Sequence, residues 1–568
     1  MIRSLVFILI LMLALWGEVA VAGSDPAIPH LEQRGQATQL IVDAQPWLIR
    51  GGELNNTAAT DAQYLNSVWP QVAQLNLNTV LVGIGWGWIE PAEGRFDFTV
   101  VDRVLAGARK NQQRVVFLWF GSWKNGVSTF APTWVKADPT RFPRVRTGSG
   151  DAIEMLSPMS AETLGVETRA YVKFLEHLKS VDGQRTALMI QVENEVGIIG
   201  DSRDRSAEAV RAFEEPVPAS LMQALGQHES TLAPDLRKAW MTAGGQNNGN
   251  WPAVFGKGLV SDELFMAWTY GRYMGQLAAA GKAVYPLPIF TNSWLARPGA
   301  VPGDYPSGGA QILNIDLWKA AAPAIDLNCP DISVPNFAEI VSAFHRPDNP
   351  LFVPEGLGIA SGVANAFYAV GAQRGLGYSV FGIDNTVRLI MFPPVMGAQP
   401  PQDLAALPLA RGYAALRDLA PMILAHQATG AIDAAWLNAG RPSQQITLGG
   451  YRIRVDLRRT FWDQKTVTDL GYALIMSGGE DEFYIAGADV QITFQPQSLG
   501  PSIAGLADDE AGHFTEGRWV VDRLLNGDDI MLNYKLTEQA RLKLSGSGAR
   551  FGPDGPTLQR VKLYRYDP

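Results

Sequence analysis

The 568-residue sequence has a single cysteine, Cys329, so no internal disulfide can form and no cysteine-based metal site can assemble. Its six histidines, at positions 30, 177, 228, 345, 426 and 513, are scattered, with no H-E-x-x-H spacing among them. Neither a metal nor any other cofactor is expected. No run of lysines or arginines occurs, and the net charge is −9. That balance argues against nucleic acid or an anionic membrane surface as partner, because both demand a basic footprint. The G-x-S-x-G turn of esterases is missing too. Long apolar runs are confined to the N-terminus, where Arg3 precedes an apolar stretch from Leu5 to Trp16 and Ala20-Val21-Ala22 precedes Gly23. This pattern is that of a signal peptide over residues 1–22, too short to span a bilayer comfortably. The expected location is therefore exported, periplasmic or extracellular, with no integral membrane segment after cleavage. Without disulfides, an exported chain must draw its stability from a large core.

What the sequence has in quantity is tryptophan, 16 in all. Flat indole faces suit both core packing and stacking on sugar rings. From residue 39 onward short apolar runs alternate with helical patterns. Strands are expected at 47–53, 79–85, 114–120, 187–193, 287–292, 324–328, 351–355 and 376–382, with helices such as 161–180 and 261–280 between them. Eight such units match a (β/α)8 TIM barrel. An open doubly wound sheet is the alternative, but no glycine-rich phosphate loop follows the first strand. The longest insertion, 197–260, follows the fourth strand and carries a Gly/Asn-rich stretch at 244–250, which either shapes a cleft or decorates the surface. Helical patterning fades near Ala425, and short alternating runs separated by Gly, Asn and Asp turns follow, as in an antiparallel β-sandwich. The expected organisation is a signal peptide at 1–22, a catalytic barrel at 23–429 and a sandwich at 430–568.

Two expected strand ends carry acids. The run 187–197, ALMIQVENEVG, is an apolar strand that delivers Glu193, Asn194 and Glu195 to its C-terminal end, where barrel enzymes place their chemistry. The seventh strand, LFVPEGLG at 351–358, ends in Glu355. Two opposed carboxyl groups are what glycoside hydrolysis requires, one protonated to assist the leaving oxygen and one to attack or to activate water. Glu195 is the candidate acid/base and Glu355 the candidate nucleophile. Glu53, Asp331 and Asp384 also sit at expected strand ends, where each could touch substrate. Glu90, in the turn after strand two, is expected to be structural.

IQVENEVG resembles the acid/base motif of family 35 glycoside hydrolases, the β-galactosidases, within the wider clan of barrel glycosidases. The stretch 86–98, WGWIEPAEGRFDF, looks like the strand-two signature shared by families 35 and 42, and 50–54, RGGEL, is similar to the family 35 opening motif. The resemblance spans residues 40 to about 390. It implies a retaining exo-β-galactosidase that acts on terminal β-galactosyl residues of oligosaccharides or plant polysaccharide side chains by double displacement, without a cofactor. It assigns the acid/base to Glu195 and the nucleophile to Glu355, with Asn194 beside the acid. The sequence departs from the family where an Asn-Ala-Glu-Trp run would follow strand three. Phe120-Gly121-Ser122-Trp123 stands there, without its carboxylate. Sugar contacts are therefore expected from Asn194, Glu53, Trp86, Trp123, Asn292 and Trp294. A β-glucosidase or β-xylosidase on the same machinery, or a non-catalytic polysaccharide-binding protein, are the competing expectations.

Overall fold

The computed structural model describes residues 27–356, 360–385, 403–459, 466, 468–515, 517–525, 531–536, 542–553 and 555–567. The expected signal peptide, Gly358 and the turn at 526–529 lie outside these residues.

Eight parallel strands close into a barrel: β1 (Ile49–Glu53), β2 (Thr79–Gly85), β3 (Arg114–Lys124), β4 (Ala187–Asn194), β5 (Ile289–Trp294), β6 (Leu327–Ile332), β7 (Val353–Gly356) and β8 (Gly377–Val380). They neighbour one another in chain order, and β8 pairs back onto β1, with Tyr378 opposite Arg50. The helices between them are α1 (Ala62–Gln74), α2 (Thr99–Lys110), α3 (Ala161–Val181), α4 (Leu259–Val284), α5 (Ile315–Ala321), α6 (Phe337–Phe344), α7 (Ala360–Gly371) and α8 (Pro408–Thr429). Local chemistry starts them cleanly. The Asp61 carboxylate accepts the Tyr64 N–H ahead of α1, and Ser160 accepts that of Thr163 ahead of α3.

Because each strand is covered by helices outside and side chains inside, its residues are apolar on both faces. Ile49, Leu81, Val116, Leu118, Leu188, Phe290, Leu327 and Phe352 fill the barrel interior. The hairpin Ala37–Val42 and Gln45–Trp47 precedes β1, and its Leu40 and Val42 join the same cluster. That hairpin turns at Asp43 and Ala44, both with left-handed φ.

Two expected strands needed correction. The sixth runs over Leu327–Ile332 rather than 324–328. Asp326 precedes it, accepting the Ile289 N–H and pairing with Lys282, and Pro330 lies inside the strand, where a proline usually marks an end. The third continues through the Gly121-Ser122 pair to Lys124, four residues past its expected end.

Helix α8 stops at Gly430, whose φ of 74° is the left-handed cap that glycine adopts without strain. Beyond it the described residues form two antiparallel sheets. One has six strands in the order β9 (Ile432–Asn438), β12 (Leu470–Gly479), β13 (Glu482–Ala488), β19 (Thr557–Tyr566), β15 (Ile503–Thr515) and β16 (Arg518–Leu524). The other has five in the order β10 (Ser443–Leu448), β11 (Tyr451–Leu457), β14 (Val490–Pro496), β18 (Leu542–Arg550) and β17 (Met531–Leu536). Period-two alternation explains how the six-stranded sheet serves two cores. Ala435 and Leu437 of β9 join Ile453 and Val455 of β11, whereas Ala434 and Trp436 join the helical layer of the barrel. The Trp436 indole donates to Asn365 Oδ1 of α7 at 3.0 Å, and Phe367 packs edge-on against Tyr472.

Candidate active site

At the C-terminal end of β4 the chain makes two turns that a glutamate rarely makes. Glu193 and Glu195 have φ of 57° and 48°, in the left-handed region. The first turn answers a bulge in the neighbouring strand. Between β3 and β4, Trp119 pairs with Val192 but Lys124 with Asn194, so extra β3 residues are left without a strand partner. Their backbone donors still require acceptors. The buried Glu193 carboxylate supplies them, accepting the N–H groups of Gly121 (3.2 Å), Ser122 (2.9 Å) and Trp123 (2.9 Å). Glu167 of α3 lies beneath, accepting Trp119 Nε1 at 3.0 Å, Tyr273 OH at 2.8 Å and the Ser122 hydroxyl. Burial first, then the Glu167 charge, pushes Glu193 well above the usual carboxylate range. This clamp locks the turn on which Asn194 and Glu195 ride.

The second turn points Glu195 into an acid cluster. One oxygen each of Glu195, Asp331 and Glu355 lies within 4.8 Å of the others. Asp331 and Glu355 are register partners on β6 and β7, which fixes their spacing. Asn292 of β5 ties the group together: its Oδ1 accepts the Glu195 N–H at 3.0 Å, and its Nδ2 donates to Asp331 Oδ2 at 2.5 Å. Glu53 of β1 is buried beside them with Oε1 unpartnered, as are Asp331 Oδ1, Glu355 Oε2 and both amide atoms of Asn194. So many buried polar atoms without partners are costly unless a hydroxyl-rich ligand satisfies them.

Electrostatics follow from burial and crowding. Burial and then the Glu195 charge push Glu355 up to about 7, against an opposing pull from Lys124. Glu195 is raised by burial, held back by Lys124 and by a hydrogen bond with Asp331. Asp331 is raised well above its ordinary value by burial, then by Glu355, Glu195 and Glu53. Glu53 is raised likewise by burial and Glu355, with Lys124 lowering it. Lys124, buried at the end of β3, is thus the cation that this cluster shares. Sequence reasoning missed it, because the third strand was ended at Phe120. The signal was a polar residue at a true strand end, hidden by Gly121-Ser122. Among the described residues, the Glu195–Asp331–Glu355 group is the only set of three acids, histidines or cysteines at such close spacing. With Lys124 already serving as its positive charge, the set suits proton handling better than ion coordination.

The acids open into a cleft of about 260 Å³, lined also by Asn125, Trp294 and Arg297. Of the three tryptophans expected to contact sugar, Trp294 lines this cleft. The other two do not. Trp86 is wholly buried, donates to Glu90 Oε2 at 3.1 Å and packs on Trp134. Trp123 is wholly buried, donates to the Leu156 carbonyl at 3.0 Å and packs on Tyr270 and Tyr273. Neither offers a face to a sugar, because each indole fills the layer between strands and helices. Asn292 acts on Glu195 and Asp331 instead of lining the cleft. Glu90 accepts from Trp86, Gly94 and Arg169, a structural knot. Asp384 accepts from Asn55 and Tyr64. The stretch 244–250 is held away from the acids, through Trp240 Nε1 to the Gln246 carbonyl and Val217 N–H to that of Gly249. No residue of that stretch lines the cleft. A larger hollow of about 670 Å³, lined by His228 and Arg346, lies on the barrel's flank away from these acids.

Residues 59–244 match glycoside hydrolase family 42, beta-galactosidase, and residues 409–536 match a domain of unknown function, DUF5597. No curated protein matches the chain. Among solved structures, the catalytic domain of a beta-amylase from Paenibacillus polymyxa is 14% identical, over 62% of this chain and 95% of that one, with a TM-score of 0.41. A beta-galactosidase from Bacillus circulans sp. alkalophilus is 14% identical with a TM-score of 0.42; the match covers 66% of this chain and 57% of that enzyme. A beta-mannanase from the blue mussel Mytilus edulis is 13% identical, over 69% and 97% of the two chains, with a TM-score of 0.40. The barrel, the acid-lined cleft at its strand ends and the family 42 match together identify the chain as a glycoside hydrolase on a (β/α)8 barrel.

Proposed function

We propose that the chain is a retaining exo-β-galactosidase of the family 35 type, exported by the leader at 1–22, with the two C-terminal sheets forming a supporting sandwich. The observation that carries the reading is the approach of Glu195 and Glu355. One oxygen of each falls within 4.8 Å of the other, which supports the short carboxyl spacing of retaining enzymes, roughly 5–5.5 Å, over the roughly 6.5–9.5 Å of inverting ones. In the first step the protonated Glu195 carboxyl gives its proton to the glycosidic oxygen as ionised Glu355 attacks the anomeric carbon. In the second, Glu195 takes a proton from water, which displaces Glu355. A cleft of about 260 Å³ supports action on a terminal sugar rather than on a threaded chain. The family 42 match supports galactose as that sugar. The test is a panel of aryl β-galactosides, β-glucosides and β-xylosides, with the anomer formed first read by proton NMR. The reading predicts preference for the galactoside and β-product first; initial α-product would overturn retention. A β-glucosidase or β-xylosidase is the second reading, favoured by the missing carboxylate at Ser122, and the same panel decides it.

A further inference from the structure

Two carboxyl groups suffice for double displacement, yet a third, Asp331, is buried within the same 4.8 Å. It is not a bystander of the strand end. Its Oδ2 is held at 2.5 Å by Asn292 Nδ2, and the same amide's Oδ1 holds the backbone of Glu195. An oxygen of Asp331 and one of Glu195 lie within 4.8 Å of each other at buried strand ends, while Asp331 Oδ1 has no partner. Two carboxyl groups can share a hydrogen bond only if one of them carries a proton.

We propose that Asp331 is a positioning residue that shares one proton with Glu195 in the free enzyme, keeping the acid/base protonated for the first step. The inference rests on the reading of Glu195 as acid/base. In such a pair the first proton leaves readily and the second is retained, because losing it would place two negative charges side by side. The groups facing Asp331 are the acids Glu355 of β7, Glu195 of β4 and Glu53 of β1, with Asn292 of β5 as neutral donor. Lys124 of β3 acts on the three glutamates, and Arg297 stands at the cleft. Glu355 and Glu53 both oppose a second negative charge on the pair, so the shared proton is held to higher pH than an isolated carboxyl would hold it. On cleavage that proton passes from Glu195 to the leaving oxygen, and it is regained from the water that hydrolyses the intermediate.

The test compares Asp331→Asn with Glu195→Gln in the full chain, using β-galactosides whose leaving groups range from dinitrophenol to simple alcohols. Glu195→Gln sets the signature of a lost acid: near-normal first-step rates with dinitrophenol and a fall of about a hundredfold or more with alcohols. Asp331→Asn keeps the acceptor for Asn292 but cannot share a proton. It is expected to reproduce a weaker version of that signature, about tenfold or more, and to move the alkaline limb of kcat/KM toward lower pH. A uniform loss across leaving groups with an unmoved pH profile would overturn the proposal and leave Asp331 structural. If Glu195→Gln itself lacks the signature, the acid/base reading fails instead. Should Asp331→Asn not fold, the infrared band of a protonated carboxyl in the wild-type protein decides, read across pH: its absence near neutrality contradicts a shared proton.

Discussion

At Asn194 an amide is buried with neither its oxygen nor its nitrogen bonded, immediately before the candidate acid/base. A group in that state contributes little to the folded protein and a great deal to a ligand that completes it. Asn194→Ala is therefore expected to leave the melting temperature nearly unchanged while kcat/KM falls by about tenfold to a hundredfold, the cost of roughly 1.5–3 kcal/mol in lost hydrogen bonding. A large drop in melting temperature with normal kcat/KM would place Asn194 in the scaffold. At this scale the sequence was most informative where an apolar run ends in an acid. The strand-end positions of Glu195 and Glu355 were legible that way. Trp86 and Trp123 were misjudged, because an indole next to a strand end looks the same in sequence whether it faces the cleft or the helical layer. Lys124 and the three-way contact of Asp331 were invisible, since they depend on a bulge and on strand register.

The element that decides the site's geometry is the clamp between β3 and β4. Gly121 has no side chain there for a simple reason: a Cβ would stand 2.0 Å from Glu167 Oε1 and 2.6 Å from Glu193 Oε1. Both carboxylates are buried and tied, so neither can step aside. Gly121→Ala is expected to cost several kcal/mol, about 3 or more, through overpacking and broken hydrogen bonds, and to lower activity by displacing Glu195. Gly165→Ala, on the exposed face of α3 with nothing within 4 Å, is the control and is expected to stabilise by up to about 1 kcal/mol. Thermal melts of the two variants check both signs. Most barrel strands were legible as short apolar runs, and the first corrected boundary has a clear cause: Pro330 broke the expected pattern of β6 without breaking its pairing. In the C-terminal part β11 and β19 alternate and were legible among the short alternating runs. Strand β9 was not, because the six-stranded sheet buries both of its faces and the period-two signal vanishes.

For the molecule as a whole, the acid cluster is a stability burden that the barrel carries for function. Glu355 holds its proton to about 7 when folded, against an ordinary value of 4.5. Between those values the folded protein binds a proton that the unfolded chain has released, so stability falls as pH rises through that range. The shift amounts to about 3 kcal/mol, and Glu53, Asp331 and Glu195 change stability in the same direction. Urea unfolding is expected to show a more stable protein at about pH 5 than at about pH 7.5, with Glu355→Gln flattening the difference. Equal slopes in the two proteins would contradict the assignment. On the proposed mechanism the same ionisation sets the acid limb of activity, since a carboxyl nucleophile attacks only when charged. The most direct test of the account is Glu355→Gly assayed on an activated β-galactoside with and without azide. The account predicts an inactive variant that azide revives, with the α-galactosyl azide as product; wild-type-like activity without azide, or a β-azide, would contradict it.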